Sequence, residues 1–244
     1  MRNHPGAVSR AILLGVLLTS MSLSGAEITG ILGVLSPGGA LVRAGFQTMQ
    51  LNNDEFPPVG GGGINPNGVA LLKEFTAVAP IDVLFQVKDS NGTTEYDVLD
   101  RVVNLTGFRW YDFHMQLGFF INGAFVLANP NSGLDFDTPH RNPPADFNPM
   151  DVTRHDPNRI DAKAANLMGT IPNNTFADFL FSMDIPDFNG AYMDDRIYDP
   201  VNKTWTFVLR QTPTVPEPGS MAFTGLAVIG FCVFRSRARR ARRF

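Results

Sequence analysis

Apolar and polar residues alternate with a period of two in several stretches of the chain. Residues 81–87, 111–119, 179–185 and 205–209 all have this pattern. Successive side chains of a β-strand point to opposite faces, so the spacing is typical of strands with one buried side. We predict strands at these four positions. The side chains predicted to point inward are Ile81, Val83, Phe85, Val87, Tyr111, Phe113, Met115, Leu117, Phe119, Phe179, Phe181, Met183, Ile185, Trp205, Phe207 and Leu209.

Turn residues separate these apolar stretches. Asn91 and Gly92 come shortly after the first predicted strand, and such a pair tolerates the positive φ angles of a tight hairpin. We therefore predict that residues 93–103 return as the second strand of a hairpin. Two apolar runs at residues 28–35 and 40–46 flank a Ser-Pro-Gly-Gly turn, which predicts an opening hairpin.

The remaining segments of the body are rich in Gly, Pro, Asn and Asp. Residues 57–68, with four consecutive glycines, and the proline-rich residues 129–158 are predicted to be long loops. There is no long helical periodicity and no repeat of fixed period. Many short strands with turn signals indicate an all-β fold, and we predict an antiparallel β-sandwich of jelly-roll type over residues 27–211. The 20 phenylalanines supply large apolar side chains to fill the space between two sheets.

The first 26 residues have the three parts of a secretory signal peptide. Arg2 and Arg10 supply positive charge, an apolar run follows, and Ser24 and Ala26 place small residues before a cleavage site at Glu27. A retained membrane helix is the alternative, but the apolar run is shorter than the roughly 20 residues that a span needs. We predict that residues 1–26 direct export and are removed.

A linker follows the body at residues 212–219. It contains Pro216, Glu217 and Pro218. Proline fixes its own φ angle and disfavours helix in the residue before it, so this linker is predicted to be extended.

An uncharged run and a basic tail complete the chain. Residues 220–234, with Ser220 first and Phe234 last, are predicted to form a transmembrane helix. Such a helix rises only about 22 Å against a hydrocarbon core of roughly 30 Å, but snorkelling arginines and local bilayer thinning make up the difference. Residues 235–244 are predicted to stay cytoplasmic, because positive charge marks that side of the membrane. The basic residues of this tail are Arg235, Arg237, Arg239, Arg240, Arg242 and Arg243.

In this order, the Pro-Glu-Pro motif, the apolar run and the arginine tail resemble the PEP-CTERM sorting signal of exopolysaccharide-producing Gram-negative bacteria. The resemblance implies that an exosortase, a membrane-embedded cysteine protease, recognises Pro216, Glu217 and Pro218 and cuts near them. In this scheme the body crosses the inner membrane, is anchored transiently by the helix, and reaches the cell surface or extracellular matrix after the cut. Cys232 would leave with the helix. The bodies attached to such signals are diverse. The resemblance therefore predicts where the protein is sent, and it says little about what the body does.

Charge and cysteine content exclude several kinds of binding site and cross-link from the body. Residues 27–234 contain twelve basic residues against 23 acidic ones, a net charge of −11. A nucleic-acid partner is therefore not expected, because such binding needs a basic surface. Cys232 is the one cysteine of the chain and lies outside the body, which excludes a disulfide framework and a cysteine-ligated metal there.

No catalytic or cofactor-binding motif is visible in the body. The histidines lack the spacing of a zinc site, and neither a Gly-x-Ser-x-Gly nucleophile nor a phosphate-binding loop occurs. We therefore predict no catalytic residue, no cofactor and no metal site. Paired carboxylates are the weak exception, although aspartates beside Pro, Asn and Gly are typical of turns. These pairs are Asp135 with Asp137, the weak metal candidates, and also Asp184 with Asp187 and Asp194 with Asp195.

We expect an exported, exosortase-sorted surface or matrix protein that is not an enzyme and associates with exopolysaccharide. Trp110 or Tyr111 could stack on sugar rings if exposed, but core packing is the favoured role for both. Two alternatives stay open: a carbohydrate-active hydrolase and a calcium-stabilised adhesin, both using loop aspartates. The expected partners are an exosortase, the membrane before processing, and exopolysaccharide.

Overall fold

The computed structural model describes residues 26–54, 65–89, 91–136, 151–156, 158–163 and 170–215. Over these ranges the chain forms thirteen β-strands and one 3₁₀-helical turn, Asp195–Ile197, and no α-helix. The all-β prediction is confirmed for this part of the chain. The strands are β1 Glu27–Leu35, β2 Gly39–Gln47, β3 Gly68–Phe75, β4 Ile81–Lys88, β5 Thr94–Asn104, β6 Asp112–Ile121, β7 Ala124–Leu127, β8 Asp135–Phe136, β9 Asp151–Asp156, β10 Arg159–Lys163, β11 Thr175–Ile185, β12 Tyr198–Asp199 and β13 Thr204–Thr214.

The strands form two sheets. The eight-stranded sheet has the order β1-β4-β13-β6-β10-β9, with β12 paired to β13 and β7 paired to β6. The five-stranded sheet has the order β2-β3-β5-β11-β8. Aromatic rings from the two sheets meet in one core, because Phe113 on β6 stacks on Phe179 of β11 at 4.7 Å and contacts Phe75 of β3 at 5.7 Å. The sheets therefore pack face to face.

One pairing differs from the antiparallel arrangement predicted from the sequence. β3 and β5 pair in parallel, whereas all other pairings between the described strands are antiparallel. A parallel pair needs a crossover connection. Here the crossover is β4, which lies in the opposite sheet between β1 and β13. The jelly-roll description, which implies antiparallel neighbours throughout, does not hold at this pair.

Both predicted hairpins are wrong, although their strands are present. β1 pairs with β4 and β2 pairs with β3, so the first turn crosses between sheets. The backbone N–H of Gly38 in this turn donates to the carbonyl of Pro80 at 3.1 Å, and the turn is thereby joined to the β3–β4 turn. Asn91 does adopt a positive φ of 70°, but the chain there passes from β4 in one sheet to β5 in the other.

The core contains nearly all of the residues predicted to point inward. They are buried on β4, β6, β11 and β13, as the alternation indicated. Tyr111 is the exception, because it precedes β6 and is only half-buried. The predicted long loop at residues 129–158 also contains two strands, β8 and β9, which the prolines and asparagines of that segment concealed.

The two ends of the chain lie outside the described residues. This applies to residues 1–25 of the predicted signal peptide and to the predicted sorting and membrane segments from Pro216 onward. Among the residues that the structure does describe, no helix has the length and apolar character required to cross a bilayer.

Candidate functional site on the five-stranded sheet

A groove crosses the outer face of the five-stranded sheet. Its floor is a row of four residues on neighbouring strands, in which Gly45 lies opposite Ala70, Ala70 opposite Leu99, and Leu99 opposite Leu180. Two depressions of about 530 and 470 Å³ share Gly45, Ala70 and Leu99, so they form one continuous surface. We call it the outer groove.

One end of the outer groove is charged. Arg101 donates hydrogen bonds from Nε and Nη2 to the two carboxylate oxygens of Asp178, at 2.6 and 2.7 Å. These hydrogen bonds hold the pKa of Asp178 below its ordinary value. The guanidinium also lies 4.4 Å from the ring centre of Phe176. Arg43 lines the same end, so this end presents two cations, one carboxylate and one exposed ring.

The other end of the outer groove is lined by amides and a carboxylate. Gln47 donates from Nε2 to the carbonyl of Pro66 at 3.3 Å, and Ser182 donates to Asp97 at 2.8 Å. Leu99, with 50 % of its surface exposed, lies on the floor beside these polar groups. An apolar floor with a few fixed polar groups is the common composition of a ligand-binding surface.

Buried asparagines shape this polar end. Asn67 accepts hydrogen bonds at Oδ1 from the backbone N–H groups of Met49 and Gln50, at 2.8 and 3.0 Å. Its Nδ2 donates to Asn53 Oδ1 at 3.0 Å, and Asn53 donates in turn to Asn65. These side chains fasten the segment after β2 to the start of β3. They keep the wall of the outer groove in place, since buried amides are stable only when paired.

Carboxylates form a row beyond the polar end. On β11, Asp184 lies opposite Glu95 of β5 on one side and opposite Asp135 of β8 on the other. Directly opposite residues share a face, with Cβ atoms about 5 Å apart. The structure therefore brings together Asp135 and Asp184, which the sequence placed in different pairs, and adds the buried Glu95. Asp137 lies outside the described residues.

The remaining candidate aspartates have the predicted turn roles. Asp187 accepts a hydrogen bond from the backbone N–H of Gly92 at 2.6 Å. Asp194 caps the 3₁₀ turn and pairs with Arg196, whose hydrogen bonds lower the pKa of Asp194 to about 2. Over the described residues, no group of three or more His, Cys, Asp or Glu side chains is arranged to hold a metal ion.

Trp110 is part of the core and is not available for stacking on a sugar. It is fully buried, stacks on Phe113 at 5.7 Å and contacts Phe75 at 5.2 Å. Its Nε1 donates to Thr106 at 3.1 Å. The favoured interpretation of Trp110 as a core residue is therefore confirmed.

His114 lies on the outer face of the eight-stranded sheet, on the side of β6 that the alternation indicated. Its Nδ1 is 2.5 Å from Asp161, and its Nε2 is 3.4 Å from Asp112. Burial alone would raise the pKa of Asp161, but the hydrogen bond and charge of His114, with a contribution from Arg159, outweigh it and lower the pKa.

A fully buried ion pair lies between the two sheets. Lys73 on β3 places Nζ 2.8 Å from Oδ1 and 2.9 Å from Oδ2 of Asp100 on β5. Gln211 reaches across from β13 and donates a hydrogen bond to Oδ2. Burial lowers the pKa of Lys73, and the attraction of Asp100 offsets this only in part.

Sequence reasoning missed this pair, although a signal was present. Lys73 occupies the same alternating positions as Val69, Leu71 and Phe75, which places a cation on the apolar face of its strand. Leu71 and Leu72 are adjacent and interrupt the alternation of apolar and polar residues, so the sequence does not predict a strand there. The groove residues had no comparable signal, since Gly45, Ala70 and Leu99 come together only through strand pairing.

Comparison with known proteins identifies the C-terminal end of the chain. Residues 214–240 match the family model of the PEP-CTERM protein-sorting motif, which confirms the resemblance found in the sequence. The motif implies export, processing by an exosortase and sorting to the cell surface. Neither the curated proteins nor the solved structures gave a match to the chain.

Proposed function

We propose that this chain, an exosortase substrate by its sorting motif, is a non-catalytic surface or matrix protein whose body associates with exopolysaccharide. The match at residues 214–240 carries the proposal, because a protein sorted to the surface of a polysaccharide-producing cell meets that polymer first. Residues 1–26 begin the route as a signal peptide. Residues 220–234 anchor the precursor in the membrane until the exosortase acts.

The outer groove is the surface that we assign to the polysaccharide. It is three strand spacings wide, about 14 Å across β2, β3, β5 and β11, and its charged and polar ends lie apart along the strands. An extended polymer can lie along such an open surface. Leu99, half-exposed on the floor, offers an apolar side chain for contact with the apolar face of a sugar, while Gln47 and Asp97 offer hydrogen-bonding groups.

The carboxylates of the outer groove favour binding over hydrolysis. Asp97 and Asp178 lie at opposite ends, and the four steps from residue 97 to residue 101, which is paired with Asp178, span about 13 Å along β5. Glycosidases hold their two carboxyl groups within about 10 Å of each other, and the acid has a raised pKa. The pKa of Asp178 is instead lowered by Arg101.

Retention on the polymer tests this assignment. We expect the exported, processed protein to be retained on the exopolysaccharide of its producing cell, and Leu99→Ala to weaken retention on the order of tenfold. Leu32→Ala is the matched control, because Leu32 is a leucine on β1 of the other sheet with 55 % of its surface exposed and does not line the outer groove. No retention above that of an inert β-protein, or equal weakening by both variants, would contradict the assignment.

The two alternatives, a carbohydrate-active hydrolase and a calcium-stabilised adhesin, would use aspartates such as Asp184 and Asp135, which lie opposite each other on β11 and β8. A hydrolase would release reducing ends from the exopolysaccharide and would lose this activity in Asp184→Asn. A calcium site would make the melting temperature fall on addition of a chelator in the wild type, and not in that variant. If neither effect is observed, both alternatives are excluded.

A further inference from the structure

Lys73 and Asp100 form the most deeply buried charged pair among the described residues. Both side chains have no exposed surface, and they connect the one parallel pair of strands, β3 and β5. Lysine is almost never fully buried without a specific reason. Neither the proposed polysaccharide site nor the sorting motif uses this pair.

We propose that Lys73 and Asp100 condense into an amide, a covalent cross-link between β3 and β5 that the protein forms by itself after folding. Nζ is held at nearly equal distances from the two carboxylate oxygens, 2.8 and 2.9 Å. The nucleophile therefore already contacts the carboxyl group that it attacks. Positioning of this kind removes much of the barrier to a reaction between two groups.

The reaction needs no oxidant and no added reagent. One proton passes from the Lys73 ammonium to Oδ1 of Asp100, leaving a neutral amine and a neutral carboxylic acid. Nζ attacks Cγ and forms the C–N bond, and a second proton passes from Nζ to Oδ1. The Cγ–Oδ1 bond then breaks, one water molecule leaves, and Oδ2 remains as the amide carbonyl oxygen.

Surrounding groups favour each part of this reaction. Burial disfavours the charged ammonium, and the pKa of Lys73 is lowered accordingly, so the neutral nucleophile is within reach. Gln211 donates to Oδ2, where negative charge develops during the attack. Oδ1, the oxygen that leaves, accepts no well-aligned hydrogen bond despite its proximity to Nζ.

The cross-link gives the body a covalent bond that its sequence otherwise lacks. No cysteine occurs between residues 27 and 231, so no disulfide can connect these strands. The amide closes a loop from residue 73 to residue 100, which restricts the unfolded chain as a disulfide would. It also removes two buried charges, whose desolvation opposes folding.

Peptide mapping of the exported protein tests for the bond. Trypsin cuts after Arg43, Lys73, Lys88 and Arg101, but an acylated Lys73 is not a cleavage site. We expect a branched species in which residues 44–88 are joined to residues 89–101, lighter by one water molecule than the sum of the two peptides. Cleavage after Lys73 with both peptides at their full masses would overturn the inference.

Variants distinguish the amide from a tight ion pair. Asp100→Asn should give the same branched product with loss of ammonia instead of water. Lys73→Arg retains the charge but should give only linear peptides. The double variant Lys73→Met with Asp100→Leu fills the space without charges, and it should fold but melt well below the wild type. A branched product from Lys73→Arg, or equal melting of the wild type and the double variant, would count against the cross-link.

Discussion

Asp82 is a nearly buried carboxylate that a single arginine stabilises. It lies on β4 directly opposite Arg210 of β13, which donates from Nε and Nη2 to both carboxylate oxygens at 2.7 Å. The ring of Phe125 covers the guanidinium at 4.1 Å, and the Asp82 side chain is only 4 % exposed. A carboxylate so placed depends on this one partner, because water cannot replace it.

We expect Arg210→Lys to lower the free energy of unfolding by about 1–3 kcal/mol, because lysine keeps the charge but loses the paired hydrogen bonds and the flat contact with Phe125. Denaturant unfolding measures this loss. Arg101→Lys is the control, since its bond to Asp178 has similar geometry on side chains that are 50 % and 39 % exposed. A loss in the control as large as that in Arg210→Lys would contradict the role given to burial.

Asp161 links stability to pH. Its pKa lies below the ordinary 3.8 because His114 and Arg159 outweigh the effect of burial. A carboxyl group whose pKa is lowered by folding contributes stability above its unfolded pKa, and that contribution is lost as the pH falls through the folded value. We expect Asp161→Asn to flatten the fall of stability below about pH 4, measured by urea unfolding at several pH values. Identical acid profiles for variant and wild type would refute this.

At the scale of elements, glycine decides how closely β2 approaches β3. A Cβ atom added at Gly39 would lie 1.9 Å from the carbonyl oxygen of Glu74, whereas one added at Gly45 would meet nothing within 4 Å. Both glycines belong to the same strand. The beginning of β2 therefore requires glycine, and its middle does not.

We expect Gly39→Ala to destabilise the protein by about 1–3 kcal/mol, because the clash involves backbone that cannot move aside cheaply. Gly45→Ala should change stability by no more than about 0.5 kcal/mol. Thermal unfolding of the two variants gives the comparison. Equal effects would mean that β2 can shift relative to β3.

The parallel pairing of β3 and β5 results from how the elements are connected. β4 between them crosses to the opposite sheet and back, so the two strands run in the same direction. The same crossing places Lys73 and Asp100 on one face of neighbouring strands. The proposed cross-link thus depends on a connection that a simple hairpin would not produce.

At the scale of the molecule, the two sheets share one core. Phe113 contacts Phe75 and Phe179 of the opposite sheet, and also Trp110, which lies just before β6. We expect Phe113→Ala to cost about 3–5 kcal/mol while both sheets still unfold in one transition. Far-ultraviolet circular dichroism and tryptophan fluorescence should give coincident curves. Phe108→Ala, at an exposed position, should leave the transition unchanged.

The sorting motif determines where the whole precursor is delivered in the proposed function. We expect replacement of Pro216, Glu217 and Pro218 by alanine to keep the protein in the membrane fraction of its producing cell instead of at the surface. Fractionation followed by detection of the body measures this distribution. Alanine at Pro57 and Pro58 is the control for loss of two prolines elsewhere. Normal surface delivery of the motif variant would contradict recognition by an exosortase.

Much of the core could be predicted from the sequence. Alternation at residues 81–87 and 179–185 identified buried faces correctly, because side-chain direction in a strand is a local property. Strand partners were not predictable in this way. β1 and β2 have the local pattern of a hairpin, yet their hydrogen bonds go to β4 and β3.

The sorting motif was determined by sequence alone, since its parts are contiguous and their order is the signal. The outer groove, the row of Glu95 with Asp184 and Asp135, and the contact between Lys73 and Asp100 were decided only by the tertiary structure. Each of these features joins residues far apart in the chain. Their proximity depends on which strands pair and in which register, and that is settled by the packing of both sheets at once and not by any local stretch.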